Sequence, residues 1–124
     1  MKSSFVRVAG LIVVLVMALQ GIAQAHVFVD HADPKVGSEN AQSPTEVKIY
    51  FTGELDPSFS SMEVLDSTGK QIDKKDCKVD AKDKTLLVVS LPALPAGTYK
   101  VVWHVMCAER HKTKGDFKFA VEPS

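Results

Sequence analysis

Residue types that can bind a metal ion concentrate at two places in this 124-residue chain. One is His26, which directly follows the small residues Ala23 and Ala25, and the other is the segment 107–111, with the sequence Cys-Ala-Glu-Arg-His. If the chain is cleaved after Ala25, His26 becomes its first residue and offers its α-amino nitrogen and its imidazole together. Because both donors sit on one residue, closing a chelate ring with them costs little further ordering entropy.

Glu109 and His111 are two residues apart, so in an extended segment their side chains would project to the same side. A carboxylate and an imidazole from this segment could then complete a site begun by His26. Nitrogen-rich donor sets with an oxygen suit tetragonal Cu(II), whereas thioether and thiolate clusters suit Cu(I). These three residues are therefore candidate ligands for Cu(II).

The amino-terminal 25 residues have the pattern of a secretory signal peptide. Lys2 and Arg7 precede an apolar run at residues 8–19, and Ala23 and Ala25 supply small side chains before a cleavage point. The run is shorter than the roughly 20 residues of a membrane-spanning helix, which disfavours a retained anchor. We therefore expect 1–25 to be a signal peptide and 26–124 to be the mature domain.

A second cleavage point leaves the chemistry of the amino terminus open. Cleavage after Ala23 would leave His26 as the third residue of the mature chain. A third-position histidine can bind Cu(II) with the terminal amine and the two intervening amide nitrogens, without Glu109 or His111. Intact mass distinguishes the two products.

Charge and length limit the classes of function. The chain has 15 basic and 15 acidic side chains, and removal of Lys2 and Arg7 leaves a net charge of about −2. This balance lacks the basic excess of a nucleic-acid-binding protein, and 45% hydrophobic content excludes a disordered chain. A mature chain of about 100 residues can form one modest core, so function must come from a local site.

Alternating apolar residues predict β-strands throughout the mature chain. The alternating sets are Val47, Ile49 and Phe51; Leu87, Val89 and Leu91; Tyr99, Val101, Trp103 and Val105; and Phe117, Phe119 and Val121. Turn residues separate these segments at short intervals, as at Asp33-Pro34 and between Pro92 and Gly97. The pattern predicts an all-β, immunoglobulin-like antiparallel β-sandwich of Greek-key type with about seven strands and Trp103 in its core.

The mature chain resembles the CopC-type periplasmic copper-binding proteins. The resemblance rests on His26 after the signal, on segments 46–52 and 115–119, and above all on the run 91–103. That run reads Leu-Pro-Ala-Leu-Pro-Ala-Gly-Thr-Tyr-Lys-Val-Val-Trp and is followed eight residues later by His111. The resemblance implies Cu(II) ligands at His26, Glu109 and His111. Glu109 stands where the family usually has Asp, and three roles stay open for it: a direct ligand, an outer hydrogen-bond acceptor, or no part in the site.

The resemblance also implies a carrier rather than an enzyme. We expect a monomeric periplasmic protein that carries or buffers Cu(II) for copper resistance or homeostasis, with an inner-membrane copper permease or other periplasmic copper proteins as partners and no nucleic acid. Acid should weaken capture, since the amine and imidazoles bind metal only when deprotonated. Two alternatives stay open: an immunoglobulin-like interaction module without a metal, and a copper-dependent oxidative enzyme.

Several other side chains receive structural predictions. We expect Met62 in the core, so that the family's Met-rich Cu(I) loop is missing, and His104 on the outer sheet face. His31 is expected in a turn or capping role. For Cys77 and Cys107 a disulfide is the favoured prediction, with Cys107 as a thiolate ligand or a buried side chain as alternatives. The mixed-charge run 73–84 is expected to be a solvated loop or hairpin.

Overall fold

The alternating segments form the strands that the sequence predicts. The computed structural model describes residues 27–124; the predicted signal peptide and His26 lie outside the described residues. The described part contains eight strands and one short 3₁₀ helix, Pro57–Phe59. The strands are β1 (Val29–Asp33), β2 (Glu39–Asn40), β3 (Glu46–Phe51), β4 (Ser61–Leu65), β5 (Lys78–Val79), β6 (Leu86–Ser90), β7 (Gly97–Met106) and β8 (Lys112–Val121). The described segment includes no helix long and apolar enough to cross a membrane.

Two four-stranded sheets make up the predicted β-sandwich. One has the order β1-β3-β6-β5 and the other β2-β8-β7-β4. The short strand β2 pairs with β8 in parallel, whereas the remaining pairs are antiparallel. The all-β fold class is therefore confirmed, with one parallel pair that strand alternation does not indicate.

The core lies between the sheets and contains the predicted apolar faces. In β3 every second residue is buried, which follows from the two-residue period of a strand. Trp103 of β7 meets Phe51 of β3 edge to face at a ring-centroid distance of 5.2 Å, so these rings join the two sheets. Met62 is buried, as predicted.

The longest hairpin, β7–β8, ends at the segment that carries the candidate ligands. Its register runs from Gly97 opposite Val121 to Met106 opposite Lys112, which leaves residues 107–111 as the connecting turn. Trp103 lies opposite Gly115, and a Cβ atom added to Gly115 would lie 2.5 Å from Cζ2 of the indole. The indole therefore packs directly on the β8 backbone and fixes the hairpin against the core.

Met106 is buried although alternation from Trp103 directs it to the outer face. The segment that leads into β4 runs beside it: the backbone N–H of Asp56 donates to the carbonyl of Met106, and the N–H of Met106 donates to Ser60 Oγ. The end of β7 is thus flanked by residues 56–60.

Most of the mixed-charge run 73–84 is solvent-exposed, as predicted, but Asp73 is buried. Its carboxylate accepts hydrogen bonds from the backbone N–H groups of Val64 and Lys75, both at 2.8 Å. The carboxylate takes the place of a strand partner for the Val64 N–H, and so attaches the start of the run to β4.

The predicted disulfide is wrong, since Cys77 and Cys107 are both free. Cys77 lies beside the backbone of Met62, which pairs with Trp103 of β7. Cys107 lies four residues beyond Trp103, which is roughly 13 Å further along the strand direction at the usual rise per residue. The two cysteines therefore lie at different levels of the sandwich, whereas a disulfide needs Cα atoms within roughly 7 Å of each other.

Candidate metal centre

Residues 107–111 form a tight turn, not the extended segment assumed from the spacing of Glu109 and His111. The N–H of Cys107 donates to the carbonyl of His111, and the N–H of Arg110 donates to the carbonyl of Cys107, both at 2.9 Å. Arg110 adopts a φ of 68°, in the left-handed region that non-glycine residues seldom occupy. The prediction that Glu109 and His111 lie on one side of an extended segment is therefore wrong, although both residues belong to the same turn.

Cys107 is the buried base of this turn. Its side chain is fully buried, and its Sγ accepts a hydrogen bond from the backbone N–H of His111 at 3.4 Å. The cysteine is thus a packed side chain, the second of the alternatives left open. Glu109 and His111 are both exposed, so their side chains face solvent above a fixed backbone.

The start of the described chain is held firmly on the body of the sandwich. Val27 is buried, and a Cβ atom on Gly53 would lie 2.8 Å from Val27 Cγ1. Phe28 and Thr52 exchange two hydrogen bonds: the Phe28 N–H donates to Thr52 Oγ1 at 2.9 Å, and the Thr52 N–H donates to the Phe28 carbonyl at 2.8 Å. The backbone at Val27 therefore has a defined position.

The segment 52–55 connects this position to the turn. The carbonyl of Glu54 accepts a hydrogen bond from the N–H of Ala108 at 3.1 Å, and Leu55 forms a β-bridge with Cys107. Val27 packs against Gly53 and Ala108 is hydrogen-bonded to the adjacent Glu54, so both lie against the same short segment. The first described residue consequently lies beside the turn that carries Glu109 and His111.

Sequence analysis does not single out Thr52, Gly53 or Glu54. No local pattern marks them, because their contribution depends on contacts with two segments that are far away along the chain. A glycine that follows a strand is the one weak signal, since close packing of another side chain is a common reason for such a glycine.

The remaining histidines have other environments. His31 lies within β1, not in a turn; its Nδ1 is 2.7 Å from Asp30 Oδ2, and its ring stacks on Tyr50 at 4.3 Å. His104 is exposed on the outer face of β7, as predicted.

Within residues 27–124, no group of three or more His, Cys, Asp or Glu side chains is arranged to hold a metal ion. Glu109 and His111 alone provide two donors, and stable sites for transition metals usually need more. A metal site at the turn would therefore require donors from outside the described residues, which is what the His26 prediction supplies.

Comparisons with known proteins cover nearly all of the described residues. A family model described as the CopC domain matches residues 29–122. Protein YobA of Escherichia coli K12 is 29% identical over 99 residues, which cover 79% of this chain and 80% of YobA. Copper resistance protein C of Pseudomonas syringae pv. tomato is 28% identical over 112 residues, which cover 86% and 88% of the two chains. The crystal structure of CopC from Methylosinus trichosporium OB3b is similar at a TM-score of 0.71, with 34% identity, and the match covers 79% of this chain and 95% of that one.

Proposed function

Because this chain belongs to the CopC domain family, we propose that it is an exported copper-binding protein that carries or buffers Cu(II) in the periplasm. His26, Glu109 and His111 are the proposed ligands, and copper resistance or homeostasis is the proposed physiological role. The relative from Pseudomonas syringae is named as a copper resistance protein, which supports the choice of metal.

The observation that carries the proposal is the position of Val27 beside the turn 107–111. His26 is bonded to Val27, and consecutive Cα atoms are about 3.8 Å apart. Cleavage after Ala25 would create a free α-amine on His26, so amine and imidazole nitrogens would become available within reach of the turn. Nitrogen donors with one carboxylate oxygen are a suitable set for tetragonal Cu(II).

Glu109 is proposed as the oxygen donor. Its side chain has one methylene more than the Asp usual in the family, but it is exposed on a turn and has room to adjust. The exposed positions of Glu109 and His111 also suit a carrier, because a partner can approach copper held at the surface and exchange ligands with it. We propose an inner-membrane copper permease or another periplasmic copper protein as that partner, and a monomer as the carrier.

The test begins with the exported protein itself. Intact mass should correspond to residues 26–124, and electron paramagnetic resonance of the Cu(II) complex should show nitrogen couplings from two imidazoles. A mass that includes Gln24 and Ala25 would contradict the proposed amino terminus.

Cu(II) affinity is then measured by competition with a chelator for matched histidine variants. His111→Ala should lose at least about tenfold in affinity, because it removes a direct donor. His104→Ala should leave affinity unchanged, since His104 is also an exposed histidine but lies on β7, outside the turn. Equal affinities for wild type and His111→Ala would refute the site and favour an interaction module without a specific metal.

The amine and the carboxylate need separate variants. One extra glycine placed before His26 converts the α-amine of His26 into an amide and should weaken binding, while the fold remains intact. Glu109→Gln should weaken binding and shift the resonance parameters if the carboxylate is bound to copper. An unchanged spectrum for Glu109→Gln would remove Glu109 from the ligand set and leave the two histidines.

A further inference from the structure

A groove on the outer face of the β7–β8 hairpin lies next to the turn 107–111. It has a volume of about 460 Å³, and we call it the basic groove. Its lining residues are Phe59, His104, Val105, Lys112, Thr113 and Lys114.

Strand register and the 3₁₀ helix form this groove. His104 of β7 lies opposite Lys114 of β8, and Met106 lies opposite Lys112, so these side chains share the outer face. The 3₁₀ helix contacts β7 and contributes Phe59, whose side chain is 56% exposed. The groove therefore combines an aromatic wall with a rim of cationic or protonatable side chains.

The two lysines of the groove are available to an external anion. Lys112 and Lys114 are both exposed, and within residues 27–124 neither forms an ion pair with an acidic side chain. The groove thus presents positive charge beside an exposed aromatic ring.

The charge pattern favours an acidic protein segment over a membrane surface. The mature chain is expected to carry a net charge of about −2, and Asp116 and Glu63 lie next along the same face, between the groove and the more distant Lys100 and Lys118. An extended anionic surface would meet these carboxylates, whereas a narrow segment would contact only the lysines. A segment with both carboxylates and apolar side chains also matches the ring of Phe59.

We propose that the basic groove is the docking surface for an acidic loop or tail of a partner protein. Lys112 directly follows His111, so a segment bound there would lie next to the proposed copper site. The role of this docking in copper exchange rests on the proposed function; the docking itself does not require copper.

The test uses metal-free, isotopically labelled protein and a short synthetic peptide of alternating glutamate and leucine. We expect peptide-induced amide shifts centred on His104, Thr113 and Lys114, and weaker binding at high salt because ions screen exposed charges. Shifts spread evenly over the β-sandwich would overturn the proposal.

Two charge reversals on one strand provide the matched comparison. Lys114→Glu should lower peptide affinity roughly fivefold to tenfold, as expected for replacing an attractive surface contact with a repulsive one. Lys118→Glu changes the net charge equally on the same strand and face, but outside the groove, and should change affinity less than about twofold. Thermal melts check that both variants fold. Equal losses in the two variants would show attraction by overall charge only and refute the groove.

Other ligands and the copper site are distinguished in the same experiment. Inorganic phosphate that produces the same shifts at equal concentration would indicate a small-anion site and overturn the proposal. Binding to phosphatidylglycerol vesicles without binding to the peptide would overturn it in favour of a membrane. Cu(II) affinity should be unchanged in Lys114→Glu; loss of peptide binding with copper binding retained supports the groove. The wild-type protein could bind the peptide in a way that depends on Lys114 and yet fail to bind Cu(II). This result would retain the docking surface and reject only its role in copper exchange.

Discussion

Replacement of Gly115 by alanine should destabilise the protein, although alanine is usually tolerated better than glycine within a strand. The added Cβ would lie 2.5 Å from Cζ2, 2.9 Å from Cε2 and 3.2 Å from Cη2 of Trp103. The indole has little room to withdraw, because it is buried and its neighbour across the core is Phe51. The clash must therefore move the indole, the β8 backbone or both.

The expected size of this effect follows from two opposing contributions. Overpacking a tight core costs about 1–3 kcal/mol. Loss of backbone freedom in the unfolded chain offsets about 0.4–1 kcal/mol when alanine replaces a glycine in an ordinary backbone conformation. The free energy of unfolding should thus fall by roughly 1–2 kcal/mol, and each kcal/mol should lower the melting temperature by roughly 4–8 °C in a domain of this size.

Urea unfolding followed by tryptophan fluorescence measures the effect directly. The combined variant Gly115→Ala with Trp103→Phe serves as the control, with circular dichroism as the probe, because phenylalanine lacks the indole atoms that meet the added Cβ. The combined loss should be smaller than the sum of the single losses by about 1 kcal/mol. A Gly115→Ala protein as stable as wild type, or strictly additive losses, would refute the close contact.

Two further predictions concern buried polar groups. Asp73→Ala should lower the free energy of unfolding by about 2–3 kcal/mol, because the buried Val64 N–H loses its acceptor; urea unfolding tests this, and a loss below about 0.5 kcal/mol would contradict it. Burial raises the pKa of the Cys77 thiol from 9.0 to about 11, so the unfolded chain ionises first and the free energy of unfolding should decline between about pH 9 and pH 11. Cys77→Ala should lack this part of the decline, and identical pH profiles for the two proteins would show that the thiol contributes nothing to it.

The strands and the core were predictable because strand alternation is a local property. Val47, Ile49 and Phe51 are all buried on one face of β3, and a two-residue period is sufficient to assign such a face. Met106 shows the limit of this reasoning. It belongs to the outer face by alternation, yet it is buried, and the segment 56–60 that is hydrogen-bonded to it lies far away along the chain.

The candidate site was predictable as residue types but not as geometry. Glu109 and His111 stand out as donors, while their backbone is a turn whose shape depends on Cys107 and on Arg110 at positive φ. The two cysteines follow the same rule: their presence suggested a disulfide, and the folded structure leaves both thiols free.

What the sequence determined by itself is the four alternating strands β3, β6, β7 and β8, the apolar face of each and the donors available for a metal, since these depend on residue type and on neighbours one or two positions away. The tertiary structure decided that Val27 and the turn 107–111 both contact residues 52–55. That arrangement depends on packing and hydrogen bonds between three segments distant in the chain, and no pattern within any one of them specifies the other two.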